Sequence, residues 1–260
     1  MEGMKFEDFE ERVELPIQED DIDDVNMSDT QETRLYNWDL DSIMGNKLHG
    51  SFTLEFNRND IINLREQNPF RTYGEDGFSY EQNIRRIFDI ITSQDNSCIE
   101  NVRAITRYIK ESCTQAKLPE LDLVQFALDF AQAPNINYCI DENSESINFA
   151  KEYMRFPDEV LYDKEGDCDC KSSLTAALFH ELGYNVIIML SQKLGHAAIG
   201  IELKEEWLNE IKADNPERVV REYNGKRYLY CETTGDGYKI GHIKDNESIQ
   251  DFETIVEIPV

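Results

Sequence analysis

The stretch that decides the fold is residues 166–183, GDCDCKSSLTAALFHELG. Its larger part, residues 169–182, sets Leu174, Leu178 and Leu182 four residues apart, the spacing that stacks side chains on one face of a helix. Gly183 follows as the residue at which such a helix stops. Downstream the pattern turns strand-like. Residues 185–190, 196–203, 218–223 and 227–232 read as strands, and Asn224-Gly225 between the last two is a strong hairpin signal. Residues 205–214 read as a short exposed helix inserted between strands. A helix followed by antiparallel strands, with more helices upstream, is an α+β pattern.

Upstream, Ser51-Phe52-Thr53-Leu54-Glu55-Phe56 alternates as a strand does, and a helix is expected near 81–93. Ser97 with Glu100 has the form of a capping box, ahead of Ile99, Val102, Ile105 and Ile109 at helical spacing. Pro119 is suited to open another helix over 120–132, with Leu121, Val124, Leu128 and Ala131 on one face. Three regions result: a leader over 1–35, a strand with a helical layer over 36–120, and a core over 121–260.

Apolar residues make up 40% of the 260, enough to build a core. Acids outnumber bases 53 to 26, and the net charge is −27. Such a field repels phosphate backbones and anionic membrane surfaces, so neither nucleic acid nor membrane is expected as a partner. Residues 1–32 alone carry 13 acids against two bases, a composition that cannot bury enough apolar area to fold, and they are expected to be disordered. A leader lying over a cleft is the regulatory version of the same reading. The acidic opening lacks the basic start and apolar run of a signal peptide, and the longest apolar run, Val186-Ile187-Ile188-Met189-Leu190, is far short of a membrane span. A cytoplasmic location is expected, with the six cysteines as free thiols.

Cys168 sits at the start of the decisive helix, where unpaired amides favour the thiolate, the attacking form of cysteine. A nucleophile needs a base, and a base needs an orienting partner. Of the four histidines, His180 lies far along the same helix, His49 and His242 fall in loop-like surroundings, and His196 opens a strand behind Gly195. Glu232 ends the strand Tyr228-Leu229-Tyr230-Cys231 and could meet the far imidazole nitrogen. Taken singly each piece is weak, since a cysteine at a helix start is more often structural and a carboxylate at a strand end is usually solvated.

Order strengthens them. Phe130-Ala131-Gln132, Ile136-Asn137-Tyr138, Phe156-Pro157, Gly166-Asp167-Cys168-Asp169-Cys170-Lys171-Ser172, Leu182-Gly183-Tyr184, Gly195-His196-Ala197 and Tyr230-Cys231-Glu232-Thr233-Thr234 follow one another over more than about a hundred residues. In that order the chain, from about 125 to 241, resembles the transglutaminase-like superfamily, especially its bacterial cysteine-peptidase branch. The resemblance implies a papain-like α+β core with the nucleophile helix packed on an antiparallel sheet, here with an extra N-terminal helical layer. It implies Cys168 as nucleophile, His196 as base, Glu232 as orienting acid and Gln132 as an oxyanion donor. It also implies acyl transfer on a protein or peptide amide through a thioester, with hydrolysis ahead of transglutamination or deamidation. A catalytically inactive binding module on the same fold is the rival from another class.

The chain departs from the family pattern in two places. Many relatives carry aspartate where Glu232 stands, and they usually read Gly-Asp-Cys-Glu-Asp where this chain has Asp169 and Cys170. No cofactor is required. In a calcium-dependent branch acids beside the cysteine hold the ion, so Asp167 and Asp169 are the calcium candidates, although Cys170 is a poor ligand for a hard cation. Capping of the helix start is the preferred reading of both aspartates. Cys168 and Cys170 lack the Cys-x-x-Cys spacing of a zinc knuckle, so a zinc site completed by Cys231 and His196 is disfavoured. Tyr228, Tyr230 and Tyr238 are expected to pack within the sheet. Substrate identity and oligomeric state are not legible.

Overall fold

The computed structural model describes residues 30–41, 43, 47–93, 99–132, 134–141, 152–211 and 216–258. Most of the acidic leader and Ser97 lie outside these residues. In chain order the elements are β1 (Gln31–Asp41), β2 (Lys47–Asn57), α1 (Arg58–Gln67), α2 (Tyr80–Ile91), α3 (Glu100–Ala116), α4 (Glu120–Ala131), β3 (Asn137–Tyr138), α5 (Pro157–Asp163), β4 (Glu165–Gly166) and α6 (Cys168–Glu181). Then come β5 (Val186–Ser191), β6 (His196–Glu202), α7 (Glu205–Glu210), α8 (Pro216–Val219), β7 (Val220–Tyr223), β8 (Lys226–Cys231) and β9 (Thr254–Ile258).

The fold is α+β. Its main sheet runs β7-β8-β6-β5-β9, antiparallel throughout. α6 is the central element, covered by β5 and β6 on one side and by α3, α4 and α5 on the other. Every side chain from Asp169 to Phe179 is buried, polar ones included, so the apolar stripe read from the sequence is only part of a helix wrapped on all faces. Burial of Leu174 and Leu178 contributes roughly 2 kcal/mol each. Gly183, at φ 95°, turns the chain out of α6, and the β7–β8 hairpin turns at Asn224 and Gly225 with both φ positive, as a two-residue primed turn requires.

β1 and β2 form a separate hairpin whose inward Tyr36 and Phe52 rings lie 5.6 Å from Phe130 of α4. β1 begins at Gln31, so the last residues assigned to the leader belong to this hairpin. Glu32 is not a solvated acid there: it pairs with Arg34 at 2.7 Å and accepts the Tyr162 hydroxyl at 2.9 Å. The N-terminal layer and the sheet share one hydrophobic core from Tyr36 to Ile258.

Several local expectations are corrected. α3 starts behind Ile99 without a side-chain cap, and the capping box sits one helix earlier, where Ser79 and Gln82 exchange bonds of 3.2 and 2.8 Å. Pro119 does open α4, as its N-cap ahead of Glu120, and the helix ends at Ala131, one residue short of the expected 132. Arg218 and Val219, read as the start of a strand over 218–223, close a helical turn opened by Pro216. α7 is not wholly exposed, because Trp207 is buried against the core. β9 was not anticipated, nor were the two-residue strands β3 and β4, which are too short to show a period.

Candidate active site

Three elements bring the site together. Asp167 caps α6 by accepting the Cys170 amide at 3.4 Å, which makes Cys168 the first helical residue and leaves it half-buried. Gly166 is required just ahead of it because an added Cβ would stand 2.6 Å from Cys170 Cβ. His196 opens β6 opposite Ser191, at the end of the turn closed by Gly195. Gly195 has nothing within 4 Å of an added Cβ, and what requires it is its φ of 58°. Glu232 follows β8. Continuing the pairing of Ile199 with Cys231 by one residue puts Glu232 opposite Ala198, on the same face as His196 and diagonal to it.

That diagonal closes as a hydrogen bond of 3.1 Å between His196 Nε2 and Glu232 Oε2. The Tyr230 hydroxyl donates to the same oxygen at 3.0 Å, while Thr234 donates its amide at 2.9 Å and its hydroxyl at 2.6 Å to Oε1. Glu232 is 1% exposed, so these contacts are what keep it charged. Burial opposes that charge, but the bonds from His196 and Thr234 outweigh it and hold the carboxyl down at about 2. Burial likewise opposes the imidazolium of His196. Hydrogen bonding and attraction from Cys168 and Glu232 overcome it and raise His196 to about 9. With Nε2 turned to Glu232, Nδ1 is the nitrogen left for the thiol.

Gln132 does not have the environment expected of an oxyanion donor, nor is it a solvated helix end. Its side-chain amide donates to the carbonyls of Glu232 at 2.9 Å and Tyr238 at 3.1 Å, and its oxygen accepts the Tyr238 amide at 3.1 Å. Both N–H bonds are committed, and the residue clamps the backbone that carries Glu232. Tyr228 and Tyr230 are buried in the sheet as expected, but Tyr230 also serves Glu232, and Tyr238 lies beyond β8 with its ring 5.1 Å from His242. His49 lies in β2 and not in a loop.

The two metal readings are not supported by geometry. Each carboxylate has a partner of its own: Asp167 caps the helix, and Asp169 takes the Tyr80 hydroxyl. The Cys231 thiol is buried and directed at the Leu229 carbonyl, and that of Cys170 donates to Tyr153 O at 3.3 Å, so neither joins Cys168 and His196. Among the described residues one group has metal-like proximity, Asp141, Asp167 and Cys170, with ligand atoms within 4.8 Å of one another. Arg155 already supplies the positive charge there, its Nη1 lying 3.5 Å from Cys170 Sγ and 3.6 Å from Asp141 Oδ1.

Lys171 was quoted with the motif but given no role. It is fully buried one turn after Cys168, and its Nζ donates to Ile136 O at 2.6 Å. Thr234 likewise stood in the quoted Glu-Thr-Thr without a role; a hydroxyl two residues from a carboxylate is the signal that could have found it. A groove of about 740 Å³ along β7 contains none of these residues, and its arginines are engaged, Arg218 by the carbonyls of Lys244, Asp245 and Glu247 and Arg221 by Gln250.

Comparison with protein-family models, with curated proteins and with solved structures returned no match. The class of site rests on its own geometry: a half-buried thiol at a helix start, an imidazole beside it, and a buried, fully bonded carboxylate behind.

Proposed function

We propose that the chain is a cysteine-dependent acyl-transfer enzyme with Cys168 as nucleophile. More particularly, we read it as a transglutaminase-like cysteine peptidase, on the residue order Gly-Asp-Cys, Gly-His, Glu-Thr-Thr described above. The observation that carries this reading is the line Cys168–His196–Glu232, with a carboxylate whose four contacts fix the imidazole. A solvated strand-end glutamate would have no need of them.

In the proposed reaction the Cys168 sulfur attacks an amide carbonyl, and the C–N bond breaks as His196 gives its proton to the leaving amine. The thioester is then attacked by water, which loses a proton to His196, and the carboxylic acid leaves as Cys168 is restored. Glu232 holds the ring and balances the imidazolium throughout. The Cys168 amide at the start of α6, which has no intrahelical acceptor, is the oxyanion donor in this reading, in place of Gln132. A His196 held at about 9 is protonated at neutral pH and stands ready as the acid for the first step.

Labelling with iodoacetamide tests the nucleophile. Of the described cysteines only Cys139 and Cys168 are not buried. Modification at Cys168, lost in Cys168→Ala together with amide hydrolysis, is expected. Rapid labelling at Cys139 that persists in that variant, with hydrolysis unaffected, overturns the reading. Adding a primary amine during turnover separates hydrolysis from transamidation, because only the second incorporates it.

A further inference from the structure

The strand β3 contributes no residue to the triad. Its Asn137 amide bonds Lys164 O at 2.9 Å and its Cys139 amide bonds Gly166 O at 3.1 Å, so these two residues face β4. Alternation along a strand turns the Tyr138 N–H and C=O the other way, and among the described residues nothing pairs with them. A strand edge unpaired among the described residues is a template for another extended chain.

The edge is fixed against the nucleophile from both sides. Tyr138 pairs with Gly166, two residues before Cys168, while Ile136 is held by Lys171, three residues after it. The Ile136 amide also donates to Gln132 O at 3.3 Å, and Gln132 carries the Glu232 backbone. The edge and the triad therefore share one frame. The side chains agree with the backbone. Tyr138 is 53% exposed and Ile140 43%, two of the six large apolar side chains left open among the described residues. The Tyr138 phenol is raised first by burial and then by the charges of Cys168, Asp167, Glu232 and Cys170, whereas Cys139 senses Glu165, Arg155 and Asp141.

We propose that the Tyr138 edge is the substrate-binding strand of this enzyme. It takes an extended polypeptide by main-chain hydrogen bonds, with an aromatic or aliphatic substrate side chain seated on Tyr138 and Ile140. Only a polypeptide offers the paired N–H and C=O that this edge lacks. Asp167 and Glu232, whose charges reach Tyr138, disfavour an acidic residue at that position. The inference rests on Cys168 being the nucleophile.

The test uses dipeptidyl acyloxymethyl ketones, which alkylate an active-site thiol, with Phe, Leu, Gly or Asp at each peptide position in turn. Each rate of Cys168 modification is divided by the same variant's iodoacetamide rate. At one position Phe and Leu are expected to exceed Gly and Asp by about 10- to 100-fold. N-methylation of the peptide amide that meets the edge is expected to cost about tenfold. Tyr138→Ser and Ile140→Ser should reduce the side-chain preference and leave the N-methylation effect, while Ile62→Ser, at an exposed apolar position on α1, should change neither. Cys168 labelled by iodoacetamide with no side-chain preference and no N-methylation effect overturns the edge alone. Failure of iodoacetamide to label Cys168 removes the nucleophile and the edge together.

Discussion

Cys168 and Cys170 stand two residues apart in the first turn of one helix, and the 200° or so between them sends them to opposite flanks. Cys168 is half-buried and acts on His196. Cys170 is fully buried, donates to Tyr153 O, accepts the Arg155 amide at 3.3 Å and lies against the guanidinium. Burial first, and the charges of Asp167 and Asp169 next, push the Cys170 thiol well above its ordinary value. Both flanks contain a thiol, carboxylates and a cationic or titratable nitrogen. On one flank the nitrogen is an imidazole that can give and take a proton, and on the other it is a guanidinium that cannot. In the proposed reading the same ingredients make a reactive site on one side and a structural anchor on the other.

The strongest test of that contrast is an exchange of losses. Cys168→Ala is expected to lower amide hydrolysis by about 10⁴-fold or more, since a triad acts as a unit, with little change in melting temperature. Cys170→Ala should behave in the opposite way, costing stability while Cys168 remains labelled. Arg155→Met sharpens the anchor side. It would take from Asp141 the positive charge 3.6 Å away and from Asp163 and Glu165 one partner each, at 3.2 and 3.3 Å, with Arg65 still paired to Asp163. Urea denaturation should show a loss of about 3–5 kcal/mol. An Arg155→Met protein as stable as the parent would break the comparison.

The nucleophile flank was the more legible one because its parts are carried by short local signals: an acid-capped helix start, a glycine before a histidine, a carboxylate at a strand end. The hairpin at Asn224-Gly225 and the ends of α6 were legible for the same reason. The bonds made by Gln132 with Tyr238, Lys171 with Ile136 and Arg155 with Cys170 were not. Each depends on which segments meet in three dimensions, and Gln132 in particular looks the same in sequence whether it faces an oxyanion or clamps a loop. β9 was missed because its role as the partner of β5 is set by the sheet and not by its five residues.

Glu232→Gln comes next in size. It keeps the shape and removes the charge, so it weakens the hold on the imidazolium and frees the ring to take the wrong tautomer. A fall in kcat of about 10²- to 10⁴-fold is expected, with the folded protein retained. Gln132→Leu should be milder, at about 1–3 kcal/mol of stability for the backbone partners it leaves unsatisfied, with a kcat loss that Gln132→Glu fails to rescue because a carboxylate cannot donate to the two carbonyls.

The smallest effect is the pH dependence, in which Asp141 on the anchor flank loses its proton near 7 and His196 near 9. His196 rises from 6.5 in the unfolded chain to about 9 in the fold, so the folded protein holds that proton more tightly. Its contribution to stability is complete below pH 6.5 and is lost as pH rises through about 9. Glu232 runs the other way: its contribution is complete above about 4.5 and is lost as pH falls toward 2. Melting temperature measured from pH 6 to 10 should therefore decline across the upper part of that range, and the decline should shrink in His196→Asn. Arg155 stays charged throughout and has no part in that window. If the decline survives unchanged in His196→Asn, the imidazolium is not what that flank stabilises.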